Sequence, residues 1–203
     1  MDGHMEAVVV SERTDPRITR TTGALRQAVV ELASQRPVSQ ITVAELAERA
    51  GVTRATFYNR FDSPLALLIE VLDSDLERGH RREEERRADG GYSAAEMLRL
   101  ATAEVADHVE RFRPVYRHAL HDPADRGVYD ALTRHFTDYS LDFIARCTHP
   151  DRPGDNHQII ASFVAHGFAG AIAAWLSDAS VTRDDLVDAA VACAPPWWVA
   201  RPI

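Results

Sequence analysis

The sequence contains no lysine and only two cysteines among its 203 residues. All 23 basic residues are arginine, which we interpret as the mark of a GC-rich genome and not as a functional device. Cys147 and Cys193 lack the spacing of metal ligands. Such sparse cysteine usage excludes a disulfide framework and indicates two free thiols in a reducing compartment.

Long apolar runs and strand patterns are also missing. No apolar run approaches 18 residues, and the stretch Val8 to Val10 is too short for a signal peptide. The sequence therefore predicts a soluble cytoplasmic protein without a transmembrane helix. No alternation typical of a strand occurs, so we expect an all-α fold of about nine helices.

Motifs for catalysis and metal binding are absent as well. The chain has no glycine-rich phosphate loop, no His-Glu-x-x-His and no nucleophile elbow. A di-iron bundle needs paired Glu-x-x-His segments, and the spacing from Glu104 to His108 does not fit this motif. We therefore predict that the protein is not an enzyme and requires no metal or cofactor.

The charge is unevenly distributed along the chain. The whole chain carries −8, whereas residues 11–61 carry +3 and residues 62–203 carry −9. A basic amino-terminal part suits contact with nucleic acid, and an acidic body discourages nucleic acid from binding elsewhere.

The most informative stretch runs from Ile41 to Phe61, ITVAELAERAGVTRATFYNRF. Thr42 and Glu45 have the spacing of a capping box, so a helix begins there. Gly51 supplies the positive φ that ends this helix, and Thr53 caps a second helix that extends to about Asn59. Two short helices joined by a glycine turn predict a helix-turn-helix.

The second helix of this motif is rich in hydrogen-bond donors. They can reach base edges and phosphates in DNA, and they are Thr53, Arg54, Thr56, Tyr58, Asn59 and Arg60. Arg13, Arg17 and Arg20 lie near the start of a preceding helix that we expect from Pro16 to about Gln35. They suit phosphate contact, although a solvated face explains each one equally well.

The segment AELAERAGVTRATFYNRF, preceded by ITV, closely resembles the DNA-binding signature of the TetR family of bacterial transcriptional regulators. The resemblance extends over about Arg17 to Leu72. It implies that Thr42 and Tyr58 contact phosphate. Many family members have a phosphate-binding lysine where this chain has Pro64, so that contact is in doubt.

Helical periodicity continues after the motif. Ser63-Pro64 predicts the start of a long helix, and Ser93 with Glu96 forms a further capping box. Later helices are expected at about 115–120, 124–146 and 157–176, with a last helix from Thr182. We divide the chain into a DNA-binding domain at 12–62 and an effector-binding and dimerisation domain at 63–203.

The stretch Ile159 to Leu176 is apolar nearly all round, which is typical of a helix buried on every side. It is either the core of a monomer or part of a dimer interface. The resemblance implies the latter, since the last two long helices of this family form a four-helix bundle across a twofold axis. The predicted dimerisation residues are Gly167, Ala171, Ala174, Leu186 and Ala190.

Polar and aromatic residues fall on apolar helix faces of the second domain. Such a set is typical of a small-molecule pocket, although a lone inward histidine is also common in a plain core. A three-histidine zinc site is disfavoured because no i, i+4 pair occurs. The predicted ligand-binding residues are His108, Phe112, Tyr116, His135, Tyr139, Phe143, Phe163 and His166.

Together these features predict a homodimeric repressor. It would bind a palindromic double-stranded DNA operator and release it on binding a small apolar or aromatic effector. Activation is a minor variant. One alternative is a helical small-molecule-binding protein without DNA binding, and another is a helical enzyme with a Tyr or His acid/base in the pocket.

Overall fold

The computed structural model describes residues 16–147, 149–152 and 154–199. These ranges are helical without any strand, which confirms the all-α prediction. The α-helices are α1 Pro16–Ala33, α2 Val43–Arg49, α3 Arg54–Tyr58, α4 Pro64–Asp89, α5 Ala94–Arg111, α6 Arg113–His121, α7 Arg126–Arg146, α8 His157–Ser177, α9 Arg183–Cys193 and α10 Pro196–Val199. Two single 3₁₀ turns, Val38–Gln40 and Pro123–Asp125, precede α2 and α7.

Local capping chemistry determines where the helices begin. The Thr42 hydroxyl accepts a hydrogen bond from the Glu45 backbone N–H at 3.2 Å, as the motif predicts. The Glu45 carboxylate also pairs with Arg36. Gly51, between the helices, has a φ of 67°, a conformation that side-chain-bearing residues rarely adopt.

The other predicted helix starts are confirmed. Ser63 caps α4, with Pro64 at its first position. Ser93 with Glu96, and Thr182 with Asp185, each form a complete reciprocal capping box. Each box satisfies two backbone N–H groups that the first turn of a helix otherwise leaves without a partner.

Three details differ from the sequence-based expectation. α6 begins at Arg113 and not near 115, because Pro114 occupies a first-turn position where its missing N–H costs nothing. α7 begins at Arg126 after a 3₁₀ turn. The short helix α10 was not predicted, since four residues carry no periodic signal. The predicted Arg13 lies outside the described residues.

One hydrophobic core runs through both parts of the molecule. It extends from Leu25 in α1, through Leu68 in α4, to Trp175 in α8. α4 is the central element, because it packs against α1 on one side and against α5 and α7 on the other. α4 therefore connects the helix-turn-helix to the carboxyl-terminal part of the molecule.

The carboxyl-terminal part is built on two helix pairings, α7 with α8 and α5 with α9. By length and composition α8 could span a membrane, but the core helix of a soluble protein meets the same criteria, so this helix alone does not indicate a membrane protein. Only 33% of its most apolar window is buried within the single chain, so α8 is not the fully enclosed core of a monomer.

Candidate DNA-reading surface and effector cavities

The helix-turn-helix holds α3 as an exposed ridge on a buried base. Phe57 of α3 is fully buried, and its ring contacts Phe61 at a centroid distance of 5.9 Å. Tyr58 is the next residue, and 60% of its surface is exposed. A buried aromatic followed by an exposed one fixes the orientation of the helix and leaves its polar face free.

The predicted DNA-contacting residues lie at one end of the molecule. All eight belong to α1, to α3 or to the residues that flank α2 and α3. Seven of them are exposed, and Thr56 is half-buried: Arg20, Thr42, Thr53, Arg54, Thr56, Tyr58, Asn59 and Arg60.

Two threonine hydroxyls of this surface also cap helices. Thr53 accepts a hydrogen bond from the Thr56 backbone N–H at 3.1 Å, and the two hydroxyls lie 2.9 Å apart. Arg60 donates to the Thr22 hydroxyl at 3.1 Å and thereby links the end of α3 to α1. Arg54 makes no such bond within the described residues, so its guanidinium group is available for a base edge.

The carboxyl-terminal part encloses a cavity of about 110 Å³, here called the inner cavity. Helices α4, α5, α7, α8, α9 and α10 contribute to its wall. Its apolar surface comes from aromatic and aliphatic side chains, which include Leu98, Phe136, Tyr139, Phe168, Ile172 and Trp198.

The acidic side chains of the inner cavity all have cationic partners within the protein. An ion pair in a partly desolvated wall leaves little charge for a ligand to meet. The pairs are Asp75 with Arg111 at 2.5 Å, Glu83 with Arg87, Glu104 with Arg86 at 2.6 Å, and Asp107 with Arg183 at 2.7 Å.

A buried hydrogen-bond chain lies behind this wall. His108 Nδ1 is 2.8 Å from an Asp75 carboxylate oxygen, and its Nε2 is 2.7 Å from the Tyr116 hydroxyl. Burial lowers the pKa of His108 and raises the pKa of Tyr116 well above its usual value. A neutral His108 that donates to Asp75 and accepts from Tyr116 satisfies all three groups.

The Asp75 carboxylate stays ionised in this arrangement. Burial opposes its ionisation, but the hydrogen bond from His108 and the charges of Arg111 and Arg78 outweigh burial and lower its pKa. The chain joins α4, α5 and α6, so it holds the central helix to the wall of the inner cavity.

His135 differs from His108 because its ring has no hydrogen bond within the described residues. Burial lowers the pKa of His135 to about 4. The ring is therefore neutral at pH 7. It lines the inner cavity with one nitrogen that can donate a hydrogen bond and one that can accept a hydrogen bond.

A second cavity of about 350 Å³, here called the outer cavity, adjoins the inner one. Four residues line both cavities: Glu83, Leu98, Tyr139 and Trp198. Phe143 stacks on Trp198 with ring centroids 4.2 Å apart and planes inclined by 4°. This aromatic pair and the Tyr139–Glu83 hydrogen bond of 2.8 Å stand beside the boundary between the cavities.

Comparison with known proteins identifies the DNA-reading part. Residues 25–71 match the family model of the bacterial regulatory proteins of the tetR family. The protein carries the TetR-family DNA-binding domain. No protein of curated function matches the sequence.

Solved structures of TetR-family regulators share the whole fold. A TetR transcriptional regulator from Rhodococcus sp. RHA1 is 18% identical, with a TM-score of 0.59 over 87% of this chain and 94% of that one. Thermus thermophilus FadR, a repressor solved with lauroyl-CoA, is 17% identical, with a TM-score of 0.63 over 84% and 91%. Bacillus subtilis FadR, solved with stearoyl-CoA, is 17% identical, with a TM-score of 0.59 over 88% and 97%.

In this TetR-type fold the predicted effector residues separate into four groups. His135 and Tyr139 line the inner cavity, and His108 lines it while joining the buried chain. Phe112 and Tyr116 are buried against His108, outside the residues that line either cavity. Phe143 lines the outer cavity.

Phe163 and His166 lie away from both cavities, contrary to their predicted place in a pocket. Phe163 is 82% exposed on the outer face of α8. His166 is exposed on the same face, and its Nδ1 is bonded to the Ser162 carbonyl oxygen at 2.7 Å. Because α8 is apolar all round, its sequence could not indicate which face turns inward.

The outer face of α8 is an exposed apolar stripe. Ile159 is 68% exposed, and Gly167, Gly170 and Ala174 are exposed on the same stripe. A Cβ atom placed on Gly167 or Gly170 would meet no atom within 4 Å. A large apolar stripe on an otherwise charged surface is typical of a protein–protein contact.

The predicted dimerisation residues are divided between the surface and the core. Gly167 and Ala174 are exposed on the stripe, and Ala171 is half-buried beside it. Leu186 and Ala190 of α9 are buried within the chain, so their side chains do not face outward.

Sequence reasoning missed Trp198 and Glu83 as cavity residues, since neither lies on a periodic apolar face.

Proposed function

We propose that this TetR-family regulator is a cytoplasmic homodimeric repressor that binds a palindromic operator through α3. The exposed, donor-rich face of α3 on a buried aromatic base carries the proposal. Arg54 would read a base edge, while Thr42 and Tyr58 would position the domain on phosphates. Residues 12–62 would form the DNA-binding domain, and residues 63–203 the effector-binding and dimerisation domain.

A palindromic operator requires two recognition helices related by a twofold axis. Their separation must match about 34–36 Å, or a multiple of it, to enter successive major grooves on one side of DNA. The exposed stripe on α8 is the surface that we assign to the twofold contact. Its glycines and alanines would let two helices approach closely.

The inner cavity is the site that we assign to a small apolar or aromatic effector. Its aromatic wall and the unpaired ring of His135 support this assignment. The wall includes α4, which leads directly to the helix-turn-helix. Two FadR proteins of the same fold were solved with acyl-CoA bound. They support the proposal that this protein is a regulator that responds to an effector.

The effector can release DNA only if it binds the two conformations of the dimer with different affinity. A tenfold weakening of operator binding requires about 1.4 kcal/mol of coupling between the two sites. Movement of α4 is the proposed route for that coupling.

Footprinting on the DNA beside the protein's own coding region tests this function. We expect protection of a palindrome with two half-sites about one helical turn apart. Absence of any protected site, with the protein folded, would favour a helical binding protein without DNA binding. Chemical turnover of a bound ligand would favour an enzyme.

A further inference from the structure

The outer cavity has a chemistry that differs from that of the inner cavity. It opens beside the end of α7 and is lined by Arg87, Arg146 and His149 together with aromatic side chains. Neither the resemblance nor the effector assignment above accounts for this cationic mouth. The inference below rests on the proposed effector site and specifies the kind of molecule that it takes.

The two cavities lie on either side of shared lining residues, and their sizes differ. Small-molecule sites have volumes of about 300–1,000 Å³. The inner cavity, at about 110 Å³, lies below this range, so a ligand of ordinary size that enters it must extend into the outer cavity of about 350 Å³. Since Tyr139 and Trp198 line both, a molecule that fills both cavities must pass between or beside these two side chains.

The inner cavity is largely apolar, and its acidic side chains are neutralised by ion pairs within the protein. Its four acids are held in ion pairs, and the ring of His135, which has no hydrogen bond within the described residues, is neutral at pH 7. Phe136 and Phe168 cover its floor with ring centroids 5.7 Å apart. A charged ligand group would lose its hydration there without gaining a partner.

The outer end carries a surplus of positive charge. Glu83 is its one acidic lining residue and is already paired with Arg87 and with the Tyr139 hydroxyl. Arg146 has no acidic partner within the described residues, and its side chain is exposed at the mouth. A free guanidinium group at the rim of an apolar cavity suits a carboxylate or a similar anion.

We propose that the two cavities form one elongated site for an amphipathic organic anion. The apolar body of the ligand lies in the inner cavity against Phe136 and Phe168. Its anionic head lies in the outer cavity at Arg146. The site selects for length as well as charge, because the head and the floor are separated by the Tyr139–Trp198 boundary.

This arrangement also gives the ligand a direct contact with α4. A chain that crosses the boundary competes for the space beside the Tyr139 hydroxyl, which donates to Glu83 of α4. Glu83 is only 3% exposed, so water cannot readily replace the lost hydrogen bond. Crossing therefore removes one of the contacts that hold α4 in its position.

Binding to the full-length protein in the absence of DNA tests the proposal. The probes are dodecanoate, 1-dodecanol and dodecyltrimethylammonium, which share one chain and differ in head charge, each below its aggregation concentration. Calorimetry measures affinity, and tryptophan fluorescence reports occupancy because Trp197 and Trp198 line the outer cavity. We expect dodecanoate to bind at least tenfold more tightly than the alcohol, and the cation to bind most weakly.

Two pairs of variants locate the head and the body of the ligand. Arg146→Gln should lower dodecanoate affinity at least fivefold and dodecanol affinity less than twofold. Arg126→Gln, at the other end of α7, is the control and should change neither. Ala94→Phe, which fills the outer cavity, should weaken both probes, whereas Ala95→Phe, at a neighbouring position that lines neither cavity, should not.

Equal affinity for the three probes, an anion preference that persists in Arg146→Gln, or no binding of any of them would overturn the proposal. Circular dichroism confirms that each variant is folded. Because these measurements use no DNA, their failure leaves operator binding to be judged by footprinting. Conversely, a failed footprint leaves the anion preference intact.

Discussion

At the scale of single residues, the hydroxyl groups of the DNA-reading surface have two roles. Thr42 and Thr53 each accept a backbone N–H of the helix that they cap. A hydroxyl that accepts one hydrogen bond can still donate its own proton to a phosphate oxygen. Tyr58 has no capping role, so its substitution separates DNA contact from helix stability.

We predict that Tyr58→Phe weakens operator binding by a similar factor for every sequence, with unfolding free energy unchanged. The phenol would donate to phosphate, which positions the domain and carries no sequence information. Thr42→Ala should also weaken binding and, in addition, cost about 1 kcal/mol of stability through the lost cap. Tyr92→Phe, an exposed tyrosine outside the motif, is the control in a fluorescence-anisotropy titration. A changed base preference in Tyr58→Phe would contradict this role.

Arg54 is the residue that we expect to read sequence. It is the exposed first residue of α3, and an arginine held against guanine contributes about 1–3 kcal/mol of discrimination. Arg54→Ala should relax the preference at one position of each half-site in a binding-site selection. Arg49→Ala, which removes a cation paired with Glu31 in the same motif, should leave the selected sequence unchanged. If Arg54→Ala selects the wild-type sequence, Arg54 does not read bases.

The neutral His135 predicts a loss of stability in mild acid. Burial lowers its pKa from 6.5 to about 4 in the folded state. Below pH 6.5, His135 binds a proton in the unfolded chain but stays unprotonated in the folded chain. The free energy of unfolding therefore falls as the pH drops towards 4, by about 1.4 kcal/mol per pH unit from this residue. In His135→Phe, the free energy of unfolding measured by urea titration should depend less on pH between 6.5 and 4.

The matched control for this pH effect is Phe168→Leu. It alters the same cavity without a titratable group, so it should lower stability while keeping the wild-type slope against pH. If the free energy of unfolding changes with pH in the same way in wild type and in His135→Phe, His135 is not held neutral in the folded protein.

At the scale of elements, one carboxylate joins the helix-turn-helix to the body. Asp125, in the turn before α7, accepts hydrogen bonds from the backbone N–H groups of Val38 and Ser39 at 2.7 and 2.8 Å. Asp125 is only 2% exposed, so both donors depend on it. α7 also carries His135 and Tyr139, and this turn therefore lies between the cavity and the helix-turn-helix.

We predict that Asp125→Asn lowers the free energy of unfolding by about 1–3 kcal/mol, because the amide can satisfy only one of the two N–H groups. It should also reduce the effector response of operator binding, since the helix-turn-helix no longer follows α7. Asp130→Asn, an exposed position on α7, is the control in thermal unfolding and operator titration. Wild-type stability together with a full effector response would rule out this link.

At the scale of the whole molecule, α8 is an apolar helix that is only partly buried. Its outer stripe holds Phe163, the most exposed large apolar side chain among the described residues. The other exposed large apolar side chains outside α8 are Ile18, Tyr58 and Tyr92, which are less exposed than Phe163. A second copy of the same stripe is the occupant that our proposed twofold dimer supplies.

We predict that Phe163→Glu converts the dimer to a monomer at micromolar concentration, because two glutamates would be buried near the twofold axis. Operator affinity should then fall steeply, since one recognition helix reads only half of the palindrome. Ile18→Glu, which charges an exposed apolar residue of α1, should leave the molar mass unchanged. Light scattering coupled to size exclusion measures the mass, and a dimeric Phe163→Glu would place the interface elsewhere.

What the sequence by itself determined is local. The starts of α2, α3, α4, α5 and α9 follow from caps at Thr42, Thr53, Ser63, Ser93 and Thr182, because a side-chain oxygen three residues from a backbone N–H is a short-range contact. The turn at Gly51 is equally local. These signals were sufficient for the helix-turn-helix and for the all-α class.

Only the tertiary structure decided which side chains meet. α8 is apolar on every face, so periodicity could not show that Phe163 and His166 face outward while Phe168 and Ile172 line the cavity. Trp198 joins the cavity wall from a four-residue helix near the end of the described chain, and Glu83 joins it from a stretch that reads as solvated charge. Long-range packing set these positions, because burial depends on neighbours far away in the sequence and not on the residue's own segment.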